Sequence, residues 1–312
     1  MEIRNVGRSG LRVSVVGVGC NNFGARIDFD ASRKVVHRAL DLGITLFDTA
    51  DSYGNRGDSE SALGEILGER RKDIVLATKF GWPMDDVGVR KGGSRRYIMS
   101  AVEDSLRRLK TDWIDLYQFH TPDPLTPMEE TLRALDDLVR QGKLRYIGSS
   151  NLAAWQIVEA HWLAHTGHLN GFVSAQNEYS LMVRDADREL LPALSAHGQG
   201  LLPYYPLAGG LLSGKYRRGA PLPEGARLSY TKPAAERFLT ERNWAMLDKL
   251  DAFCAARGRT LIELSMSWLA SRAPVASIIA GATKPEQLDA NVAAVGWKLT
   301  AEDLAEIDRI TA

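Results

Sequence analysis

The stretch "TLFDTADSYG" (45–54) passes from the apolar run Thr45-Leu46-Phe47 into Asp48, Asp51 and Tyr53, two carboxyls and a phenol close together. An Asp-rich turn after a strand would account for them, since Asp and Ser close turns by bonding to nearby backbone. Two further ionisable groups end apolar runs, Lys79 in "IVLATK" (74–79) and His120 in "IDLYQFH" (114–120). A lysine that closes a buried strand needs a carboxylate, because an unpaired buried ammonium is costly. Asp48, at the end of the neighbouring predicted strand, is the natural partner. A tyrosine beside that lysine is expected to have its phenol pKa drawn below the usual ~10 by the positive charge, which makes Tyr53 a proton donor near neutral pH. His120 can orient the same substrate oxygen by a hydrogen bond, or relay the proton. Taken alone, Lys79 and Asp48 are as well explained by a buried ion pair. With Tyr53 and His120 at matching strand ends, the four suit the protonation of an oxygen on which negative charge is building.

A carbonyl that becomes an alcohol also needs a hydride at carbon, which side chains do not supply. A nicotinamide cofactor does. The amide and hydroxyl group Ser150, Asn151 and Gln176 is suited to its carboxamide, and Tyr204 to stacking on its ring.

Such groups must be brought together by the elements that carry them. Short β-branched or aromatic runs alternate with amphipathic helical stretches along the whole chain. The predicted strands are "VSVVGVG" (13–19), "TLFDTA" (45–50), "IVLATK" (74–79), "IDLYQFH" (114–120), "RYIGSS" (145–150), "FVSAQN" (172–177), "LLPYYP" (201–206) and "SIIAGA" (277–282). Helix-like segments such as "ASRKVVHRALDLG" and "PMEETLRALDDLVRQG" lie between them, several ending in Gly as a C-terminal cap would. No linker or composition shift divides the chain near its middle. Residues 1–312 therefore read as one α/β domain, a (β/α)8 TIM barrel, rather than two doubly wound halves. Catalytic groups of such barrels come from the C-terminal ends of different strands, where the four residues above are expected. "IRNVGRSGLRVS" predicts a short hairpin with Gly7 to Gly10 at its turn, covering the barrel bottom. Residues 207–240, rich in Gly and Pro and without periodicity, are expected to form a loop over the active face. "TAEDLAEIDRI" predicts a C-terminal helix with Thr300 at its N-cap and Asp303 in its first turn.

Charge narrows the partners: 39 basic and 39 acidic residues leave no net charge, so neither nucleic acid nor an anionic membrane surface is favoured and a small ligand fits better. No apolar run approaches the ~18 residues of a membrane span, and the N-terminus lacks the pattern of a secretory signal. Cys20 and Cys254, the only cysteines, form neither a CxxC nor a Cys/His cluster. A disulfide and a metal site are therefore not expected, and the reducing cytoplasm is the expected compartment. Cys20 is expected to be a small buried residue. In "GVGCNNFG" (17–24) Asn22 stands where a Rossmann fingerprint needs its third glycine. Trp82, in "KFGWP", suits a substrate pocket and a plug of the barrel rim equally well. The histidines at 37, 161, 165, 168 and 197 lie in or beside predicted helices, where packed or solvated imidazoles are the norm.

These motifs resemble the aldo-keto reductases. "FDTADSYGNRGDSESALGEIL" (47–67) is similar to that family's first signature, "LKTDWIDLYQFH" (109–120) to its second, and "IIAGATKPEQLDAN" (278–291) to its C-terminal cofactor segment; "LRYIGSSN" (144–151) and "YPLAGGLLSGKY" (205–216) fall between them in the family order. The resemblance implies a reductase of aldehydes or ketones that uses NADP(H), with Asp48, Tyr53, Lys79 and His120 as catalytic tetrad and Tyr53 as the acid in reduction. It implies that Ser150, Asn151 and Gln176 hold the carboxamide and that Tyr204 stacks on the ring. By the same resemblance Tyr205, Pro206, Leu207 and Lys215 follow the pyrophosphate. Arg227, Gly281, Thr283, Lys284, Gln287 and Asn291 surround the adenosine end, and Gly19, Asn21 and Asp48 meet the cofactor from the first two strands. Many family members carry Lys and Arg at the positions of Gly281 and Gln287, where they clamp the 2'-phosphate. Thr283, Lys284 and Arg227 must take over that work here, so NAD(H) is not excluded. This pattern is similar to the branch of potassium-channel β subunits and their bacterial relatives, which implies a rival function, a regulatory module that binds NADPH with little turnover. The physiological substrate and the oligomeric state are not legible in the residues.

Overall fold

The computed structural model of the chain describes residues 1–311. Strands β1 (Ile3–Asn5) and β2 (Arg12–Ser14) form the antiparallel N-terminal hairpin. At its turn Gly7 has φ of 58°, and a Cβ there would stand 2.3 Å from the Gly198 carbonyl oxygen. Only glycine lets the hairpin lie this close to the barrel. The predicted strand 13–19 is in fact two: β2 ends at Ser14, and β3 (Val16–Gly19) opens the barrel. The break has a local cause. The Ser14 hydroxyl donates to the Val16 carbonyl at 2.7 Å, and the Val15 N–H turns back to Glu2 at 3.0 Å.

The remaining strands are β4 (Leu46–Asp48), β5 (Val75–Phe80), β6 (Ile114–Phe119), β7 (Leu144–Ser150), β8 (Phe172–Gln176), β9 (Gly200–Leu201) and β10 (Ile278–Gly281). With β3 they make one eight-stranded parallel sheet in the order β10-β3-β4-β5-β6-β7-β8-β9. Parallel bridges from Leu201 to Val275 and from Tyr204 to Ile279 join its two edges, closing the (β/α)8 barrel. The seventh predicted strand, 201–206, shrinks to β9, because after the regular pair the backbone contributes only isolated bridges.

Helices wrap the barrel: α1 (Phe29–Asp41), the single irregular turn α2 (Tyr53–Arg56), α3 (Asp58–Leu67), α4 (Arg95–Leu109), α5 (Met128–Arg140), α6 (Ala154–Thr166) and α7 (Leu190–His197). After β9 come α8 (Arg227–Tyr230), α9 (Lys232–Phe238), α10 (Glu241–Ala255) and α11 (Leu261–Ser271), and after β10 come α12 (Pro285–Ala293) and α13 (Ala301–Thr311). Helix starts follow side-chain chemistry: Asp28 accepts from the Ala31 N–H at 2.8 Å, and Thr300 and Asp303 cap α13 reciprocally at 3.1 and 3.0 Å. Among the described residues no helix is long and apolar enough to cross a membrane.

The segment expected as a loop over the active face holds more structure than its composition suggests. A 3-10 turn over Ala208–Ser213 precedes α8 and α9, and Leu211, Leu212, Tyr216, Leu228 and Phe238 are buried. These anchors are spaced by irregular turns, so they leave no helical period to read.

Two apolar layers hold the architecture. One lies between strands and helices; the other, inside the barrel, joins Leu46, Ala77, Leu116 and Leu202 to Val6, Leu11 and Val13 of the hairpin. The hairpin is thus the floor of the barrel. On the outside, α3 lies directly on the end of α4, where a Cβ at Gly64 would stand 2.4 Å from the Arg108 carbonyl oxygen. Ala is favoured over Gly in a helix by ~0.5–1 kcal/mol, but a clash with rigid backbone costs about 1–3 kcal/mol. The clash wins. Gly64→Ala is expected to lower the denaturant midpoint without changing the slope of the unfolding transition; an unchanged or raised midpoint would show that α3 can move off α4.

Candidate active site

Side chains alternate across a strand, so residues two positions beyond the apolar floor point the same way. Above Leu46, Ala77 and Leu116 stand Asp48, Lys79 and Gln118. Polar groups at the C-terminal ends of three adjacent strands therefore meet inside the barrel. Lys79 is fully buried and Asp48 nearly so. The Lys79 ammonium has three N–H donors, and three oxygens take them: Asp48 Oδ2 at 2.6 Å, the Thr49 carbonyl at 2.9 Å and Tyr53 Oη at 3.3 Å. Asp48 Oδ1 accepts from the Gln118 and Gln176 side-chain amides at 2.9 and 2.8 Å. Burial pushes the Lys79 pKa down, but Asp48 and Tyr53 outweigh it and the net displacement is upward. The ammonium is a fixed charge.

That geometry corrects one expectation. The Tyr53 phenol lies above its ordinary pKa, because burial outweighs the lowering by Lys79 and Asp48 adds to the rise. The position that brings the phenol to the ammonium also strips it of water, and desolvation disfavours the phenolate more than the charge favours it. Tyr53 Oη accepts from Lys79, so its own proton is free to be donated elsewhere.

His120 stands beside the phenol, the two rings edge to face with centroids 5.7 Å apart. Burial, and then the Lys79 charge, push its pKa well below the usual imidazole value. It is neutral, and its buried Nδ1 has no partner among the described residues. Trp82 packs edge-on against the same ring at 6.1 Å and is 47% exposed, so it lines the mouth.

A cavity of about 490 Å³ opens over this cluster, within the range of small-molecule sites. Asp48, Tyr53, His120 and Trp82 line one part of it; Gly19, Asn21, Ser150, Asn151, Gln176 and Tyr204 also face it. Tyr205, Pro206, Leu207, Lys215 and Arg227 contribute from the segment after β9, and Gly281, Thr283, Gln287 and Asn291 from β10 and α12. Lys79 lies beneath the cavity rather than on its wall, and Lys284 is outside the lining. The proposed carboxamide-holding residues are already bonded to one another: Asn151 donates to the His120 carbonyl at 2.9 Å and accepts from Tyr204 Oη at 2.8 Å, while Ser150 donates to the Gln176 carbonyl at 2.8 Å. Asn151 and Tyr205 have φ of 60° and 52°, a conformation that surrounding contacts must hold in place.

Comparison with known proteins now decides the family. The profile of the Aldo/keto reductase family matches residues 15–312. The chain belongs to that family. It is 37% identical to the uncharacterized oxidoreductase YrpG of Bacillus subtilis (strain 168), over 99% of this chain and 96% of that protein. It is also 37% identical to a probable voltage-gated potassium channel subunit beta of Arabidopsis thaliana (95% and 91% covered), and 33% identical to the L-glyceraldehyde 3-phosphate reductase of Escherichia coli (strain K12) (99% and 92%).

Residues of this aldo/keto reductase's site that the motifs do not mark include Gln118, bonded to Asp48, and Arg26, on the cavity wall. Gln118 is the register partner of Lys79 across β5 and β6, and strand parity alone would have found it. Arg26 carries no local signal: it reaches the cavity because the loop after β3 meets the segment before α8, donating to the Gly225 carbonyl at 2.8 Å with its guanidinium 4.2 Å from the centroid of the Tyr230 ring. Among the described residues, Lys215 forms no ion pair, and burial and then Arg26 lower its pKa.

The ion pair at the base gives a direct test. Removing one partner of a buried pair costs about 3–5 kcal/mol, whereas replacing both is far milder. Asp48→Asn is expected to destabilise the protein by that amount, and Asp48→Asn with Lys79→Met to recover most of it; additive losses in urea unfolding would refute the coupling.

Proposed function

We propose that the protein is an NADPH-dependent oxidoreductase that reduces aldehydes or ketones to alcohols, with Tyr53 as the general acid. The observation that carries this reading is the Tyr53 phenol, which accepts a hydrogen bond at 3.3 Å from an ammonium itself paired to Asp48 at 2.6 Å, at the wall of a large cavity. A phenol with a raised pKa is protonated at neutral pH, and Lys79 favours the phenolate that donation leaves behind. A neutral His120 cannot supply an imidazolium proton. It orients the carbonyl oxygen towards the phenol, the first of the two roles open to it.

The donor set fits a dinucleotide. Lys215, an exposed ammonium with no ion pair among the described residues, and Arg26 make the middle of the cavity cationic, as a pyrophosphate requires. Gly19 and Gly281 stand where a Cβ would narrow the wall, the latter within 3.3 Å of Asn21 Oδ1. Asn151, Ser150 and the Gln176 side chain would hold the carboxamide, Tyr204 would pack on the ring, and Thr283, Gln287 and Asn291 would take the adenosine. When bound, NADPH supplies the hydride that no side chain can. Lys284, beside Thr283 at the start of α12, is the cation we assign to the 2'-phosphate.

The likeness to a plant channel β subunit supports a second reading, a module that binds NADPH and turns over negligibly. Steady-state NADPH oxidation with a panel of aldehydes separates the two.

Tyr53→Phe is expected to abolish carbonyl reduction while NADPH affinity by fluorescence titration stays within about threefold of the parent. Retained turnover would remove Tyr53 from its role. Loss of a charge-assisted bond, worth roughly 1.5–3 kcal/mol, should make Lys284→Ala weaken NADPH about tenfold or more and leave NADH unchanged. Lys215→Ala should weaken both. Equal losses for Lys284→Ala would place the 2'-phosphate elsewhere.

A further inference from the structure

Behind the ion pair, on the outer side of the barrel wall, lies a second buried polar cluster that the proposed chemistry does not use. Asp51, 1% exposed, follows β4 in the turn that leads to Tyr53. Its N–H donates to the Lys79 carbonyl at 3.0 Å. One carboxyl oxygen accepts from Tyr97 Oη of α4 at 3.0 Å, and the other is buried with no partner among the described residues. The segment that follows is loosely held: α2 is a single turn in which Gly54 (φ 74°) and Asn55 (ψ 64°) are not helical, the Tyr53 N–H reaches the Ala50 carbonyl at 3.2 Å, and the Asn55 N–H donates to Asp58 Oδ2 at 3.2 Å. On the strand side of the phenol, Asp51 is the side chain that fastens this turn to α4.

We propose that Asp51 is a positioning residue for the proton donor, fastening the turn that carries Tyr53 to α4 through the Tyr97 hydroxyl. This rests on the assignment of Tyr53 as the acid.

The charges around Asp51 decide its state. Glu60 of α3 is fully buried and takes Thr78 Oγ1 at 2.5 Å and Arg108 Nε of α4 at 2.7 Å. The Tyr117 hydroxyl of β6 is buried without a partner among the described residues. On the far side stand Lys79, already committed to Asp48, and Tyr53 itself. Two carboxyls thus share one guanidinium, and Arg108 is spent on Glu60. Burial and the Glu60 charge push the Asp51 pKa up to about 8, against the opposing pull of Tyr97 and Arg108. At neutral pH Asp51 is mostly an uncharged acid. Raising the pH creates a second anion beside Glu60, a repulsion that the Tyr97 bond, stronger to a carboxylate, only partly offsets.

Unfolded Asp titrates near ~3.9, so the native state holds this proton more tightly. That contribution to stability is present below the unfolded value and is lost as pH rises towards about 8. Asn keeps the shape and the neutral state at every pH.

The test uses the full chain with NADPH and an aldehyde that the parent reduces. Misplacing a catalytic group by about 1 Å can cost up to ~100-fold; Asp51→Ala is expected to lower kcat about tenfold or more with the KM for NADPH unchanged. Asp51→Asn, which keeps an oxygen to accept from the Tyr97 hydroxyl, should restore kcat to within about threefold at neutral pH. Tyr97→Phe should slow the parent but add little to Asp51→Ala, as coupled neighbours do. A parental kcat in Asp51→Ala, or an Asn variant as slow as the Ala variant, would overturn the proposal. Thermal melting provides a readout independent of turnover: Asp51→Asn should gain on the parent steadily from about pH 5 to about pH 8, and a constant gap counts against a proton held at Asp51. If the parent reduces no carbonyl, the proposed function fails, while the melting series and its Tyr97→Phe counterpart still judge the tether.

Discussion

A fully buried ammonium inside a barrel is the constraint on which the rest of this structure depends. Lys79 is tolerable there only because each of its donors is met, and one of those partners must be an anion. Asp48 is that anion, and its other oxygen must be satisfied in turn, which fixes Gln118 and Gln176 on β6 and β8. The third donor falls on the Tyr53 phenol. A polar network spanning four strands thus follows from one residue that the barrel cannot leave unpaired, and the reactive hydroxyl is part of its completion.

The same network explains why the barrel has two unlike ends. Strand parity places Asp48, Lys79 and Gln118 on the inner face two residues above Leu46, Ala77 and Leu116, and the hairpin seals that lower layer with Val6, Leu11 and Val13. The inner face opens at the C-terminal mouth, where the cavity lies. The outer face at this height is polar too: Thr78, Glu60, Arg108, Tyr97 and Asp51 lie behind the wall. A backbone bond from the Asp51 N–H to the Lys79 carbonyl and the bond from the Lys79 ammonium to the Thr49 carbonyl tie the two clusters together.

The mouth is shaped by the segment between β9 and α10. Its buried leucines and Tyr216 hold it to the barrel, while Arg227 donates to Tyr205 Oη at 2.7 Å and Arg26 reaches across to Gly225. Cationic groups that would repel one another in an empty core are instead spread along a cavity wall, where an anionic ligand would find them. This part of the chain assembles from three distant stretches, after β3, after β9 and after β10.

Read by itself, the sequence determined the (β/α)8 alternation, the hairpin, the capped terminal helix and the strand ends carrying Asp48, Lys79 and His120, because period, capping chemistry and the cost of a buried charge are all local. Tertiary structure alone decided what depends on burial or on distant meeting. The Tyr53 pKa moved up rather than down because desolvation is set by the packed surroundings, and no residue type announces it. Arg26 joined the wall while Lys284 stayed off it, since reach into a cavity depends on how loops cross. Asp51 became a buried, doubly constrained carboxyl only when α3 and α4 brought Glu60, Arg108 and Tyr97 against the turn. Local pattern chooses the elements, and the balance of desolvation against partnership, fixed in space, chooses the chemistry.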